Sequence, residues 1–251
     1  MIVDDWMMLG KTVPEETSDG RVFVCSAGWS MELRQILRVY PLAPGQSPPR
    51  WSVSRIALER NPKDSRFESW RIKGDRSQAV HSSINQRFDI VEESVPKKHR
   101  AHILKRAFMS SINAANIAHA SLAIIRPTAE PELHFEHNPY SPDSPQMKLF
   151  DSPAEKRQGS ARFAYIPRLR FADEDGNHDL QLRDWGCFEF LRKYGDARRG
   201  ELRDRLHLGP DSCLLVGNMN NQRKAWLVIS VLNGLVDAQQ TLPLEELTVN
   251  A

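Results

Sequence analysis

The densest chemistry in the chain lies in the run Glu59-Arg60-Asn61-Pro62-Lys63-Asp64-Ser65-Arg66-Phe67-Glu68-Ser69-Trp70-Arg71. Two strand-like segments flank a turn that gathers carboxylates, guanidinium and ammonium groups around an Asn-Pro break. Asp64 and Glu68 form the candidate catalytic pair. Two carboxylates on one turn can ligate a divalent ion or divide the acid and base roles, with Mg²⁺ as the cofactor of such an enzyme. Lys63 and Arg66 beside them can grip a phosphate, and Arg60 and Arg71 extend the cationic run. The same residues also read as plain structure. Asn-Pro and Asp-Ser are turn formers, and alternating charges on an exposed hairpin make weak ion pairs.

A second polar cluster, Asn218-Met219-Asn220-Asn221-Gln222-Arg223-Lys224, joins the two most apolar segments. Amides followed by Arg223 and Lys224 on a hairpin tip suit base edges or phosphates, or simply solvate a loop. Lys97, Lys98 and Arg100 open a helical segment that also carries His99, Lys105 and Arg106. Cations near a helix N-terminus oppose the macrodipole, which favours an external anion as their reason. Arg38 belongs to a wider set in which Trp29, Tyr40, Trp51 and Trp70 interleave with Arg34, Arg38, Arg50, Arg55 and Arg71. Single-strand-binding barrels use such a mixture to stack bases and hold phosphates, although aromatics at strand positions more often fill a core.

Other candidates are weaker. In an extended segment His134 and Glu136 would share a face while His137 points away, a poor chelate, so no metal site is expected. Cys25, Cys187 and Cys213 are far apart, form no Cys-x-x-Cys, and read as small buried hydrophobes in a reducing compartment. Phosphate-loop, dinucleotide-turn, zincin, nucleophile-elbow and zinc-finger spacings are absent, and no other cofactor is expected.

Composition sets the frame. The apolar fraction of 40% is somewhat below that of a typical globular chain, and the charged fraction of 26% is ordinary. No apolar run approaches the roughly 18 to 20 residues that cross a bilayer, and the opening Met1 to Trp6 lacks a leader pattern. A cytoplasmic protein without a membrane partner is the expectation. Net charge is +2, yet residues 33 to 106 hold 16 Lys/Arg against 7 Asp/Glu, a local +9 balanced by −7 elsewhere. Such a block attracts phosphates and releases their counterions.

The elements that would position these groups read as an α+β, β-rich fold. Strands are expected at 21–29, 36–42, 51–60 and 67–73, forming a curved antiparallel sheet or partial barrel. One helix is expected over 97–119, where Gly and Pro are missing, followed by a short buried strand at 121–126. Residues 127 to 159, punctuated by prolines, read as a loop or linker between units 1–126 and 160–251. The last unit reads as hairpin–helix–hairpin. Strands at 162–171 and 179–182 meet through Asp175-Gly176, helices follow from Asp184 to Gly195 and from 200 to 207, and residues 213–217 pair with 225–232.

One resemblance accompanies these readings. Lys11-Thr12-Val13-Pro14, Val24 to Gly28, Arg38 to Pro41, Trp51, Glu59 to Trp70, Asp184-Trp185 and Leu215 to Asn218 carry it. In these runs the chain resembles an uncharacterised family of bacterial and phage-borne hypothetical proteins loosely associated with defence islands. The resemblance implies a nucleic-acid context and brings no activity or catalytic residue.

The expectation is therefore a protein that binds DNA or RNA through its basic N-terminal half. The contacts are Arg38, Arg60, Lys63, Arg66, Arg71, Lys97, Lys98 and Arg100, with Arg223 and Lys224 from the distant hairpin. The alternatives are a metal-dependent enzyme acting on nucleic acid or nucleotides through Asp64 and Glu68, and a scaffold subunit whose arginines meet an acidic protein partner.

Overall fold

The computed structural model describes residues 1–16, 21–74, 88–141 and 163–235. The first elements are β1 (Ile2–Lys11), β2 (Glu15–Glu16), β3 (Val22–Ser30), β4 (Gln35–Leu42), β5 (Val53–Arg60), β6 (Ser69–Ile72) and β7 (Asp89–Glu92). Then come α1 (Lys97–Leu104), β8 (Phe108–Met109), α2 (Ile112–Ile117), β9 (Leu122–Ile125) and β10 (Glu132–His137). The chain continues through β11 (Tyr165–Ala172), β12 (Asn177–Gln181), α3 (Trp185–Tyr194), α4 (Leu202–Leu206), β13 (Cys213–Met219) and β14 (Gln222–Leu232).

The β-rich, α+β class is as expected, and the N-terminal sheet closes completely. β1, β3 and β4 form an antiparallel meander, and β6 joins β4 in parallel. β5 pairs with β6 and, on its other side, with β1, completing a ring of five. This is a five-stranded Greek-key barrel of the OB type. Alternation along each strand sends Trp6, Met8, Val24, Leu37, Val39, Ile56, Leu58 and Ile72 inward, where Phe88 joins them. Gly28 lies mid-strand over the Trp6 indole, and a β-carbon there would stand 2.3 Å from Trp6 Cε2. Only a residue without one lets β3 pass the ring.

The opposite phase of the same strands is just as apolar. Met7, Leu9, Ala27, Trp29, Ile36 and Val53 leave the barrel and pack, with Trp51, against a four-stranded sheet ordered β14-β13-β9-β8. That sheet answers with Leu122, Ile124, Leu215, Ile229 and Leu232, and Leu104 of α1 seals the layer. Its other face, including Ala123, Ile125, Leu214, Val216 and Val228, carries α2, α3, α4 and the three-stranded sheet β10-β11-β12. The face of β3 and β4 through which OB barrels commonly bind ligands is thus covered by the chain's own second sheet.

Three local expectations are corrected. The helix expected over 97–119 breaks at Lys105–Ser111. Phe108 and Met109 leave the helix to pair in parallel with Ile124 and Ile125, and Ser111 caps α2 by accepting from the Ala114 N–H. The Pro-rich stretch contains a strand, β10, bounded by Pro131 and Pro139 and paired with β11 over six registers. β1 was not anticipated, because its two acids mask a segment in which Trp6 to Leu9 are buried. Pro41, which has no N–H to donate to a ladder, lies in β4 beyond the Arg38–Val39 pairing with β6. Residues 142 to 162 of the expected linker lie outside the described residues. β9 pairs with β13 across that stretch, so the four-stranded sheet is assembled from both sides of it.

Candidate nucleic-acid interface

The turn between β5 and β6 buries some of its side chains and exposes others. Arg66 and Glu68 point inward and are 9% and 3% exposed, while Phe67 between them is 48% exposed. Asp64 takes the Arg66 guanidinium as a fork, with Nε at 2.8 Å from Oδ1 and Nη2 on Oδ2. Burial alone would raise the Asp64 carboxyl, but the hydrogen bonds and charge of Arg66 prevail and hold it at about 2. The remaining arm of Arg66 donates to the Asn218 carbonyl of β13.

Glu68 accepts from the Ser121 backbone N–H at 2.6 Å and from its hydroxyl at 2.8 Å. Arg38, only 2% exposed on the outer face of β4, donates to Ser121 Oγ and to the Ser121 carbonyl, each at 2.8 Å, and to Ser69 Oγ at 3.2 Å. Burial pushes the Arg38 pKa below its ordinary value, opposed by the nearby Cys25 and Glu68. Ser121 is therefore the hub where the barrel grips the start of β9. Asp64 and Glu68 do fall in one network, but their oxygens face internal donors. Of the expected phosphate contacts, Arg38 and Arg66 are buried in this seam. Arg100, 8% exposed, donates to the Val95 carbonyl and lies 4.3 Å over the Trp51 ring. Arg71 pairs with Glu59 at 2.8 Å.

The outward residues of the same turn meet the second polar cluster. Asn220 Nδ2 donates to the Lys63 carbonyl at 3.0 Å, and Arg223 Nη2 to Ser65 Oγ at 2.8 Å. Two loops about 160 residues apart in sequence thereby form one rim. Arg60 stacks 4.1 Å over Trp70 and donates to the Phe67 carbonyl, while Lys63, Arg223 and Lys224 are exposed. Met219, 48% exposed, stands beside Asn218 on the same tip.

The second exposed basic surface is α1 and the turn that follows it. Lys97, Lys98, His99, His102, Lys105 and Arg106 are all exposed, and α1 has no acid in its first turn and no side-chain cap. No ion pair joins any of the six to another described residue. Only the inward phase is anchored, by Arg100 and Leu104.

The remaining polar groups serve the frame. His134 meets Asp179 at 3.0 Å, and the His137 ring packs edge-on to Tyr165 at 5.9 Å. Asp184 caps α3 and binds Arg50 at 3.0 Å. Lys11 donates to the Pro44 carbonyl and lies 4.0 Å over the Trp185 ring; burial lowers its pKa to about 8 against the pull of Glu189. Cys187 and Cys213 are buried, and burial raises the Cys187 thiol. Among the described residues no three His, Cys, Asp or Glu side chains converge to hold a metal, and no helix is long and apolar enough to cross a membrane.

Sequence reasoning missed Phe67 and Met219. No local signal marked Phe67, because its neighbours Arg66 and Glu68 are buried by Asn218 and Ser121, partners far away in sequence.

Fold and surface together define a closed five-stranded barrel, backed by a second sheet through a buried polar seam and bearing two exposed basic surfaces. Residues 4–105 match the model of a domain of unknown function (DUF8758), which covers the barrel and α1 and less than half of the chain. No curated protein matches the chain.

Proposed function

We propose that the protein binds nucleic acid through the phosphate backbone, with the α1 surface as the principal contact. One observation carries this reading: four Lys/Arg and two His side chains within residues 97 to 106 are exposed, without an acidic residue among them. Surface cations ordinarily share a face with carboxylates. A segment of one sign, anchored on its inner side by Arg100 and Leu104, forms a fixed row of positive charge that suits a regular array of phosphates. The covered β3–β4 face moves ligand binding away from the barrel wall and onto its appendages. The internal engagement of Asp64 and Glu68 favours binding over catalysis at that turn.

The test is fluorescence anisotropy with labelled DNA and RNA, single- and double-stranded, at about 50 and 200 mM salt. Affinity should fall steeply with salt. Replacing Lys97, Lys98 and Lys105 with Ala should weaken binding to every sequence alike and reduce the salt slope by about three. Salt-independent binding, or none, would reject the reading and send the search to acidic protein partners.

A further inference from the structure

We propose that the rim where the β5–β6 turn meets the β13–β14 tip is a base-stacking site for single-stranded nucleic acid, with Phe67 as the platform. This rests on the nucleic-acid reading above and adds to it a ligand class and a second surface. Phe67 is nearly half exposed although both of its neighbours, Arg66 and Glu68, are buried. Its backbone is not free to withdraw the ring: the Phe67 carbonyl accepts from Arg60, Arg66 is locked to Asp64 and Asn218, and Glu68 is locked to Ser121. The aromatic face is therefore presented to solvent by a rigid mount. A ring held this way loses little entropy when a base stacks on it.

The charges around the ring fit the same ligand. Lys63, Arg223 and Lys224 are exposed on the rim, and Arg60 lies against the Phe67 carbonyl. The carboxylates of the same turn are engaged elsewhere, Asp64 by Arg66, Glu68 by Ser121 and Glu59 by Arg71. An exposed aromatic and Met219 among cations that pair with no described carboxylate complement a polyanion that also offers flat apolar faces. Single-stranded DNA and RNA have that chemistry, whereas a duplex hides its base faces in the stack. The rim is built from both ends of the chain, by the Asn220–Lys63 and Arg223–Ser65 hydrogen bonds, so neither loop alone makes it.

The experiment compares a labelled 20-nucleotide oligothymidylate with a duplex of the same length, using the full chain. Phe67→Ala should lower single-strand affinity by about 5- to 150-fold, the range of one lost stacking contact, and leave duplex affinity unchanged. Phe67→Trp should restore it. Lys63→Ala and Lys224→Ala should each flatten the single-strand salt slope by about one. Phe67 is exposed, so an unchanged melting temperature checks that the variants fold. Wild-type single-strand affinity in Phe67→Ala, or equal losses on single strand and duplex, would overturn the stacking site while leaving the α1 surface standing. Loss of all binding in the Lys97/Lys98/Lys105 variant with Phe67→Ala neutral would do the same. An absence of binding to either ligand by the wild type would overturn both readings.

Discussion

The seam around Ser121 makes a quantitative prediction about stability. Glu68→Leu removes two hydrogen bonds to a charged acceptor, each worth about 1.5–3 kcal/mol, and leaves the Ser121 N–H buried without its partner. It also strips the nearby opposite charge from Arg38, which is 2% exposed and donates three hydrogen bonds into the same hub. Removal of one partner from such a buried network costs about 3–5 kcal/mol. Arg38→Met should cost a similar amount, because Glu68 is then the uncompensated charge. The double variant should lose less than the two singles added together, with a coupling of about 2–3 kcal/mol, since both charges leave at once. Urea unfolding followed by tryptophan fluorescence measures all four proteins. Single costs below about 1 kcal/mol, or additivity within about 0.5 kcal/mol, would show that Ser121 does not couple the two charges.

Two further predictions concern the barrel and its flank. Gly28→Ala places a β-carbon 2.3 Å from Trp6 Cε2 and 2.7 Å from the Met7 carbonyl, so it should destabilise by about 3 kcal/mol or more, read as a lower urea midpoint. Lys11 has a folded pKa of about 8 against an ordinary 10.5, so between those values the unfolded chain holds more protons. Its burial therefore lowers stability below pH 8 and is relieved as pH rises toward 10.5. Lys11→Met should remove that rise, measured as the difference between the two stability–pH curves; parallel curves would refute the burial. The partly neutral amine should also acylate ahead of exposed lysines near pH 8.

Four of the five barrel strands were legible because they show the local signals of a strand, β-branched and aromatic residues and a turn at the end, whereas the two acids of β1 hid the fifth. What else was hidden is long-range. Trp51, Val53, Ile56 and Leu58 announced that both faces of β5 are apolar, yet only the fold shows that one faces the barrel interior and the other the second sheet. The single helix failed at Phe108 because a two-residue parallel pairing with Ile124 and Ile125 outweighs local helix preference, and periodicity carries no trace of that partner. The site divided the same way. The Glu59–Arg71 run and the Asn218–Lys224 tip were both singled out, but the hydrogen bonds that join them span about 160 residues. The sign of a residue's charge was readable, while its direction was not: Arg38 and Arg66 carry the same charge as Lys63 and Lys97 and point the other way.

The covering of the barrel's outer face has a consequence in time. The five strands of the ring are complete at Ile72, but β13 and β14 of the sheet that packs on its outer face begin only at Cys213 and Gln222. A ribosome adding about 5–20 residues per second needs roughly 7–28 seconds to make the intervening chain. Throughout that interval a nascent barrel carries a tryptophan-rich apolar wall with no sheet to receive it. Chaperone capture during synthesis, and aggregation when synthesis stalls, should begin at that wall.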